Sequence, residues 1–168
     1  WIEIFNSADY PVELSGWKIK DDLGNTQIIS PDYPMVLLPK TYAILASHEL
    51  FWLMFQIDTM NMTYFIYDDK VTMGNSSGCI SLYSGDTLVD EVCYVFDDTF
   101  QIPPGLSLTL DPDCNDDEEN DNIYDCWCAS PEESSVGFNF DSTNDSINIG
   151  TPGMENQHCD NDGDGYVE

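Results

Sequence analysis

The sequence contains no arginine and only four lysines, against 32 acidic residues, so its formal net charge at pH 7 is -28. Binding a nucleic-acid backbone requires clustered cations that displace counterions from the phosphates, and four lysines cannot form such a cluster. Anionic membrane surfaces are disfavoured for the same reason. The composition therefore predicts no nucleic-acid partner and favours bound cations, which would relieve the repulsion among the carboxylates.

Long hydrophobic runs are also lacking. The longest, from Leu50 to Phe55, is far too short to span a bilayer, so no membrane insertion is expected. Neither an initiating methionine nor a signal peptide is present, and we expect the chain to be a processed or trimmed fragment. We therefore predict a domain that functions outside the membrane, as part of a larger protein.

Residues suited to catalysis are few. Only His48 and His158 are available as imidazole bases, and the acidic residues cluster in polar loops, where burial cannot raise their pKa values. Ser76 lies in a G-x-S-x-G pattern, but that motif needs a helix after the serine, and the residues that follow predict a strand. Met54, Met60, Met62 and Met73 are potential copper ligands, although methionine more often fills gaps in a core. We predict a protein that is not an enzyme.

Short alternating apolar and polar segments, separated by turn residues, dominate the 168-residue chain. This pattern is typical of an all-β protein and predicts an antiparallel β-sandwich. A short buried helix is possible after Ser47. Gly16 is expected to allow a kink that turns Trp17 into the core, and Thr151-Pro152-Gly153 is expected to end the last strand with a turn. The predicted strands are 1–5, 12–20 with a break near Ser15 and Gly16, 26–29, 35–38, 42–46, 64–67, 79–83, 88–95 and 106–110.

Six cysteines, an even number, predict disulfide bonds formed in an oxidising compartment. A hairpin centred near Asp86 would place Cys79 opposite Cys93 on adjacent strands, and these two should pair. Cys126 and Cys128 are expected to point in opposite directions and therefore to reach separate partners. The favoured pairs are Cys114 with Cys126 and Cys128 with Cys159, and the swapped pairing is the main alternative.

The last nine residues contain aspartates at alternate positions, Asp160, Asp162 and Asp164, followed by Gly165. Oxygen ligands at this spacing, with a glycine for the sharp turn, are typical of an EF-hand-type calcium loop. The Tyr166 carbonyl and Glu168 occupy the seventh and ninth positions. The bidentate acid of the twelfth position lies beyond the chain, so the sequence predicts a partial and weak calcium site. The alternative is an acidic, disordered tail.

A second acidic segment runs from Asp111 to Asp121, where seven of eleven residues are acidic. It is most simply interpreted as a solvated loop, with a second cation site as the alternative.

Several motifs resemble, in the same order, those of the lamin tail domain, an immunoglobulin-like β-sandwich found in nuclear lamins and in secreted bacterial proteins. They cover nearly the whole chain, although none is specific alone. The motifs are W-I-E-I-F-N at 1–6, L-S-G-W-K-I at 14–19 with D-D-L-G-N after it, N-S-S-G-C-I-S-L at 75–82, V-D-E-V-C-Y at 89–94, S-L-T-L-D-P-D at 107–113, Trp127 and G-T-P-G-M-E-N at 150–156.

The resemblance implies an immunoglobulin-like domain over residues 1–156, followed by the start of an Asp-rich calcium-binding tail at 157–168. It also implies a strand before the W-I-E motif, which this chain does not include. Either the fragment is truncated or a neighbour supplies the strand. The basic, DNA-associated face of nuclear lamins has no counterpart here, so the secreted bacterial form is the closer parallel.

The function expected from this resemblance is a non-catalytic structural or adhesive module of a bacterial extracellular or cell-surface protein, with neighbouring domains or subunits as its partners. The alternatives are an accessory domain of a secreted hydrolase, such as a nuclease or phosphatase, and a subunit of an extracellular polymer with a donated strand.

Overall fold

The computed structural model describes residues 1–49, 62–98, 100–103, 105–114, 126–130 and 150–159. In these ranges the regular structure consists mainly of short strands, so the predicted all-β class is confirmed. The elements are β1 (Ile2–Phe5), β2 (Val12–Glu13), β3 (Lys18–Asp21), β4 (Thr26–Ile28), β5 (Val36–Leu37), β6 (Tyr42–Ala46), β7 (Thr63–Ile66), β8 (Ser77–Ser84), β9 (Thr87–Val95), β10 (Leu108–Leu110), a 3₁₀ helix (Pro112–Cys114) and β11 (Trp127–Ala129).

An antiparallel four-stranded sheet has the strand order β4-β3-β8-β9. A two-residue turn, Gly85 and Asp86, joins β8 to β9, and Gly85 has a φ of 62°, which a glycine adopts readily at the first turn position. The predicted hairpin is therefore confirmed. Two small antiparallel pairs, β2 with β5 and β10 with β11, complete the antiparallel part of the fold.

A three-stranded sheet has the order β1-β6-β7, and here the prediction of a wholly antiparallel fold was wrong. Strands β6 and β7 run parallel, with Ile44 opposite Tyr64. Parallel neighbours require a long crossover connection, which the sixteen residues 47–62 supply. The short helix predicted after Ser47 lies largely outside the described residues.

The main core lies between the two larger sheets. Ile19 and Ile80 come from the four-stranded sheet, and Ala43 and Leu45 come from β6. The two sheet faces that meet here contribute every second residue of their strands, as in a β-sandwich. Gly16 has a φ of 85°, and the following Trp17 packs against this core, as predicted.

The other face of the three-stranded sheet is covered as well. Ile44 and Ala46 are fully buried there and pack against Trp1 and Met62. The C-terminal segment adds a turn in which Met154 N–H donates to the Thr151 carbonyl, as predicted for this T-P-G sequence. A Cβ atom added at Gly153 would overlap Met62 Cε, so this turn packs against the same face of the sheet.

Glu3 also attaches this turn to the sheet. The Gly153 N–H donates a 2.5 Å hydrogen bond to the Glu3 carboxylate. Burial raises the pKa of Glu3 to about 8, and the hydrogen bond from Gly153 only partly opposes this effect. The folded protein therefore favours the neutral form of Glu3 near neutral pH, whereas the unfolded chain has the ordinary value of 4.5. This strand residue corrects the expectation that the acidic residues lie in polar loops, where burial cannot raise their pKa values.

This pKa difference predicts a pH-dependent gain in stability for Glu3→Gln. Because the folded pKa is raised, the contribution of Glu3 to stability is fully present below pH 4.5 and is lost as the pH rises through about 8. Glutamine cannot ionise and retains an oxygen acceptor for Gly153. We expect the variant to be more stable by about 1–3 kcal/mol at pH 9 and nearly equal to the wild type at pH 4.

Urea unfolding at the two pH values measures this difference. Glu155→Gln, which changes an exposed acid in the same segment, should stay within about 0.5 kcal/mol of the wild type at both. An equal gain at pH 4 and pH 9 for Glu3→Gln would contradict the prediction.

Candidate metal centre at the C-terminal junction

The C-terminal junction is the place where β10, β11 and the segment 150–159 meet. Strands β10 and β11 form an antiparallel pair with Thr109 opposite Cys128. The hydroxyl of Thr109, in β10, and that of Ser130, which directly follows β11, form a buried hydrogen bond. After β10 the chain continues through Asp111 into the 3₁₀ helix Pro112–Cys114, which the fixed backbone angle of proline favours at its first position.

Disulfides cross-link this junction in the predicted manner. Cys114 is bonded to Cys126 and Cys128 to Cys159, with Cα atoms 5.7 and 5.8 Å apart. The third bond joins Cys79 to Cys93, which face each other across β8 and β9. All three predicted pairs are therefore present in the structure.

The reason given for separating Cys126 from Cys128 was nevertheless wrong. Residues two apart on a strand lie on the same face, so strand alternation does not direct them apart. Cys126 precedes β11, and only Cys128 lies within it. The positions of Cys114 and Cys159 decide the pairing.

Asp111 is the central residue of the junction. Its side chain accepts hydrogen bonds from the N–H groups of Cys159, at 2.7 Å, and Asp113, at 2.9 Å. Burial alone would raise the pKa of Asp111, but these hydrogen bonds and the contact with His158 outweigh it, so the pKa lies below its ordinary value. Asp111 is only 6% exposed, which corrects the prediction of a solvated loop at this position.

His158 and Asp113 complete a cluster around this carboxylate. The His158 Nδ1 lies 3.2 Å from Asp111 Oδ1 and 3.5 Å from Asp113 Oδ2. The side chain of Asp113 is 86% exposed and that of His158 39% exposed, so the cluster opens to solvent on one side. One ligand atom from each of the three residues lies within 4.8 Å of the other two, a spacing at which they could hold one metal ion.

The three donors are one imidazole nitrogen and two carboxylates. Calcium prefers oxygen ligands, whereas an imidazole suits zinc and other transition metals. Both oxygens of Asp111 already accept N–H groups, so a cation would compete with His158 for Oδ1. The same atoms also form a satisfied hydrogen-bonding network without a metal, which fastens the segment 150–159 to the end of β10.

The residues predicted for calcium, Asp160, Asp162, Asp164, Tyr166 and Glu168, lie outside the described part of the chain. Of the acidic segment beginning at Asp111, the structure brings Asp111 and Asp113 together with His158. No ligand spacing in the sequence indicated His158. The predicted bond between Cys128 and Cys159 could have indicated it, because it places residue 158 beside β11 and hence near the end of β10.

Two other sequence features are also located by the structure. Ser76 directly precedes β8, so a strand and not a helix follows it, and the geometry of a hydrolase elbow is not met. Met62 packs against the second core cluster, as a core residue would, and Met73 is 39% exposed. Among the described residues, no helix is long and apolar enough to cross a membrane.

No family model, curated protein or solved structure matches the chain.

Proposed function

We propose that this chain is a non-catalytic extracellular module of the lamin-tail type, which serves a structural or adhesive role in a larger secreted or cell-surface protein, most simply a bacterial one. Its three disulfides support an oxidising compartment, because cytosolic proteins rarely keep such bonds. Its charge of -28 argues against nucleic acid and favours partners that tolerate or neutralise acidic surfaces.

The observation that carries this proposal is the way the C-terminal junction is fastened. Cys159 is held by its disulfide to Cys128 and by the hydrogen bond that its N–H donates to the buried Asp111. The calcium loop proposed at residues 160–168 begins at the next residue. A calcium ion bound there would therefore be tied to the sandwich through Cys159 and would set the direction in which the chain leaves the domain.

Calcium is the proposed ion because the loop offers oxygen ligands from Asp160, Asp162 and Asp164, with the Tyr166 carbonyl and Glu168 as further donors. Asp113, which is exposed and next to His158, is available as an additional oxygen ligand. Extracellular calcium modules have dissociation constants of roughly 10⁻⁴ to 10⁻³ M, and an incomplete loop belongs at the weak end of that range.

Calorimetry with calcium chloride tests the proposal. The wild-type chain should bind calcium, and substitution of Asp160, Asp162 and Asp164 by asparagine should abolish the heat. A control with Asp22, Asp32 and Asp98 changed to asparagine carries the same change of charge at exposed positions and should bind as the wild type does. No calcium heat, or heat that is equal in both triple variants, would leave the tail a merely acidic linker.

The cluster of Asp111, Asp113 and His158 differs from the proposed calcium loop because one of its potential ligands is an imidazole. Zinc binding that is lost in His158→Gln but retained in the Asp160, Asp162 and Asp164 variant would assign a second, separate metal to this cluster. Calcium binding that depends on Asp113 as well as on the three loop aspartates would instead show that Asp113 completes the loop.

A further inference from the structure

The Cys79–Cys93 disulfide lies on the outer face of the four-stranded sheet. The two cysteines are directly opposite each other on β8 and β9, and the next opposite pair, Ile80 with Val92, packs in the core. Successive side chains of a strand point to opposite faces, so the disulfide points away from the core. Cys93 is exposed and Cys79 is half-buried. The bond is therefore open to reagents in solution while the domain stays folded.

The other two disulfides are less open to attack. A thiolate opens a disulfide by attacking one sulfur while the other leaves as a thiolate, so both access and the leaving group matter. Cys126 is 6% exposed and Cys159 is 7% exposed, which closes both sulfurs to an incoming thiolate. Attack on their partners, Cys114 and Cys128, would release a thiolate in a buried position, and burial disfavours the charged form. We therefore expect exchange to be slow at both bonds.

The strand order of the sheet decides which sulfur of the open bond is attacked. The incoming sulfur approaches along the extension of the S–S bond. An approach to Cys79 Sγ along this line crosses β3, the neighbour of β8 on its other side. An approach to Cys93 Sγ comes from beyond β9, where no strand of the described part of the chain is paired. Exposure and direction both favour attack at Cys93.

Opening this bond leaves the contacts of the hairpin in place. Strands β8 and β9 pair along their whole length, and β8 also pairs with β3. In the chain-entropy model the disulfide stabilises by restricting the unfolded chain, so its loss lowers the free energy of unfolding without removing another contact of the folded state. An exchange reaction at this position is therefore compatible with a folded domain.

The charges around the bond select among thiols. Glu91 is exposed, lies on the same face two residues before Cys93, and accepts a 2.6 Å hydrogen bond from the Ser81 hydroxyl. Lys18 and Lys20 share this face, but they contact side chains near the turn end of the hairpin, away from the disulfide. Glu91 and the net charge of -28 repel a negatively charged thiol. A thiol with neutral or basic neighbours is therefore favoured.

We propose that the Cys79–Cys93 bond is a thiol–disulfide exchange site, at which a cysteine of another polypeptide, with neutral or basic neighbours, becomes linked to Cys93. The incoming thiol loses its proton to water and gives an electron pair to Cys93 Sγ. The Cys79–Cys93 bond breaks, and Cys79 leaves as a thiolate that takes up a proton from water. One disulfide replaces another, so no oxidant or reductant is consumed. The inference does not depend on metal binding or on the proposed adhesive role.

Two blocked tripeptides, Lys-Cys-Lys and Glu-Cys-Glu, test the proposal on the whole folded chain at pH 8. After quenching with N-ethylmaleimide, peptide mapping should find the tripeptide on Cys93, maleimide on Cys79, and the bonds Cys114–Cys126 and Cys128–Cys159 intact. Per thiolate present, the basic peptide should react at least about tenfold faster than the acidic one at low salt.

Glu91→Gln isolates the charge next to the bond. The variant retains an oxygen acceptor for Ser81, so only the charge is lost, and the preference for the basic peptide should narrow by about two- to threefold. Glu155→Gln makes the same change at an exposed position of the C-terminal segment and should leave the preference unchanged. The double variant with Cys79→Ala and Cys93→Ala should form no adduct under the same conditions.

Urea below the unfolding transition separates exchange in the folded protein from exchange after unfolding. The rate at Cys93 should not change with urea in this range. A rate that follows the unfolded fraction would overturn the proposal, because the bond would then open only on unfolding. Equal opening of all three disulfides, or earlier opening of Cys128–Cys159, would overturn it as well. So would a basic peptide that reacts no faster than the acidic one.

Discussion

Replacing both Cys128 and Cys159 with alanine is expected to lower the free energy of unfolding by about 4 kcal/mol. The two residues are separated by 31 positions, and in the chain-entropy model a cross-link of this span removes more freedom from the unfolded chain than a shorter one. The bond also holds Cys159, and with it the segment that contacts Glu3 and Asp111. Because this segment covers part of the sandwich, loss of its attachment should also destabilise the sandwich outside the junction.

Denaturant unfolding of the wild type and the double variant, each with and without reductant, measures this effect. The matched control is Cys79→Ala with Cys93→Ala, where the separation is 14 and the expected loss about 3 kcal/mol. Strong reductant should bring the wild type below both double variants, since it opens all three bonds. Unchanged melting of the wild type in reductant would contradict the prediction.

Asp111→Ala should cost about 3 kcal/mol, although it removes only one side chain. The substitution leaves the buried N–H of Cys159 and the partly buried N–H of Asp113 without their acceptor. An unsatisfied buried donor costs about 1–3 kcal/mol. Asp111→Asn retains one carbonyl oxygen and should lose less than alanine does.

Asp113→Ala provides the comparison for this prediction. Its side chain is 86% exposed, so its loss should change the free energy of unfolding by no more than about 0.5 kcal/mol. Equal losses for the two alanine variants, measured by urea unfolding at neutral pH without added metal, would show that Asp111 is not the anchor. Asp111 and the Cys128–Cys159 bond act on the same segment, so a combined variant should lose less than the sum.

Much of the fold could be predicted from local sequence. Alternation with a period of two identified the strands from β1 to β10, and the glycine at position 85 marked the β8–β9 turn that places Cys79 opposite Cys93. Gly16 before Trp17 and the T-P-G turn were predicted for the same reason. In each case the decisive interactions lie within a few residues of one another.

The parallel pairing of β6 with β7 could not be predicted in this way. A strand has the same alternation whether its neighbour runs parallel or antiparallel, and the direction depends on the path of the crossover between them. Strand β11 is too short for a pattern, because its three residues W-C-A gain their pairing only from β10. Both features follow from contacts between distant parts of the chain.

The candidate sites also combine features that the sequence determines with features that depend on tertiary contacts. The sequence by itself determined that this is a strongly acidic, disulfide-bonded β protein with a calcium-like Asp repeat at its end, because composition and spacing are properties of the chain alone. Only the tertiary structure decided that Asp111 is buried, that His158 lies beside it, and that the Gly153 N–H binds the buried carboxylate of Glu3. These features join residues tens to more than a hundred positions apart, and a side chain's burial and neighbours depend on which distant segments pack against it.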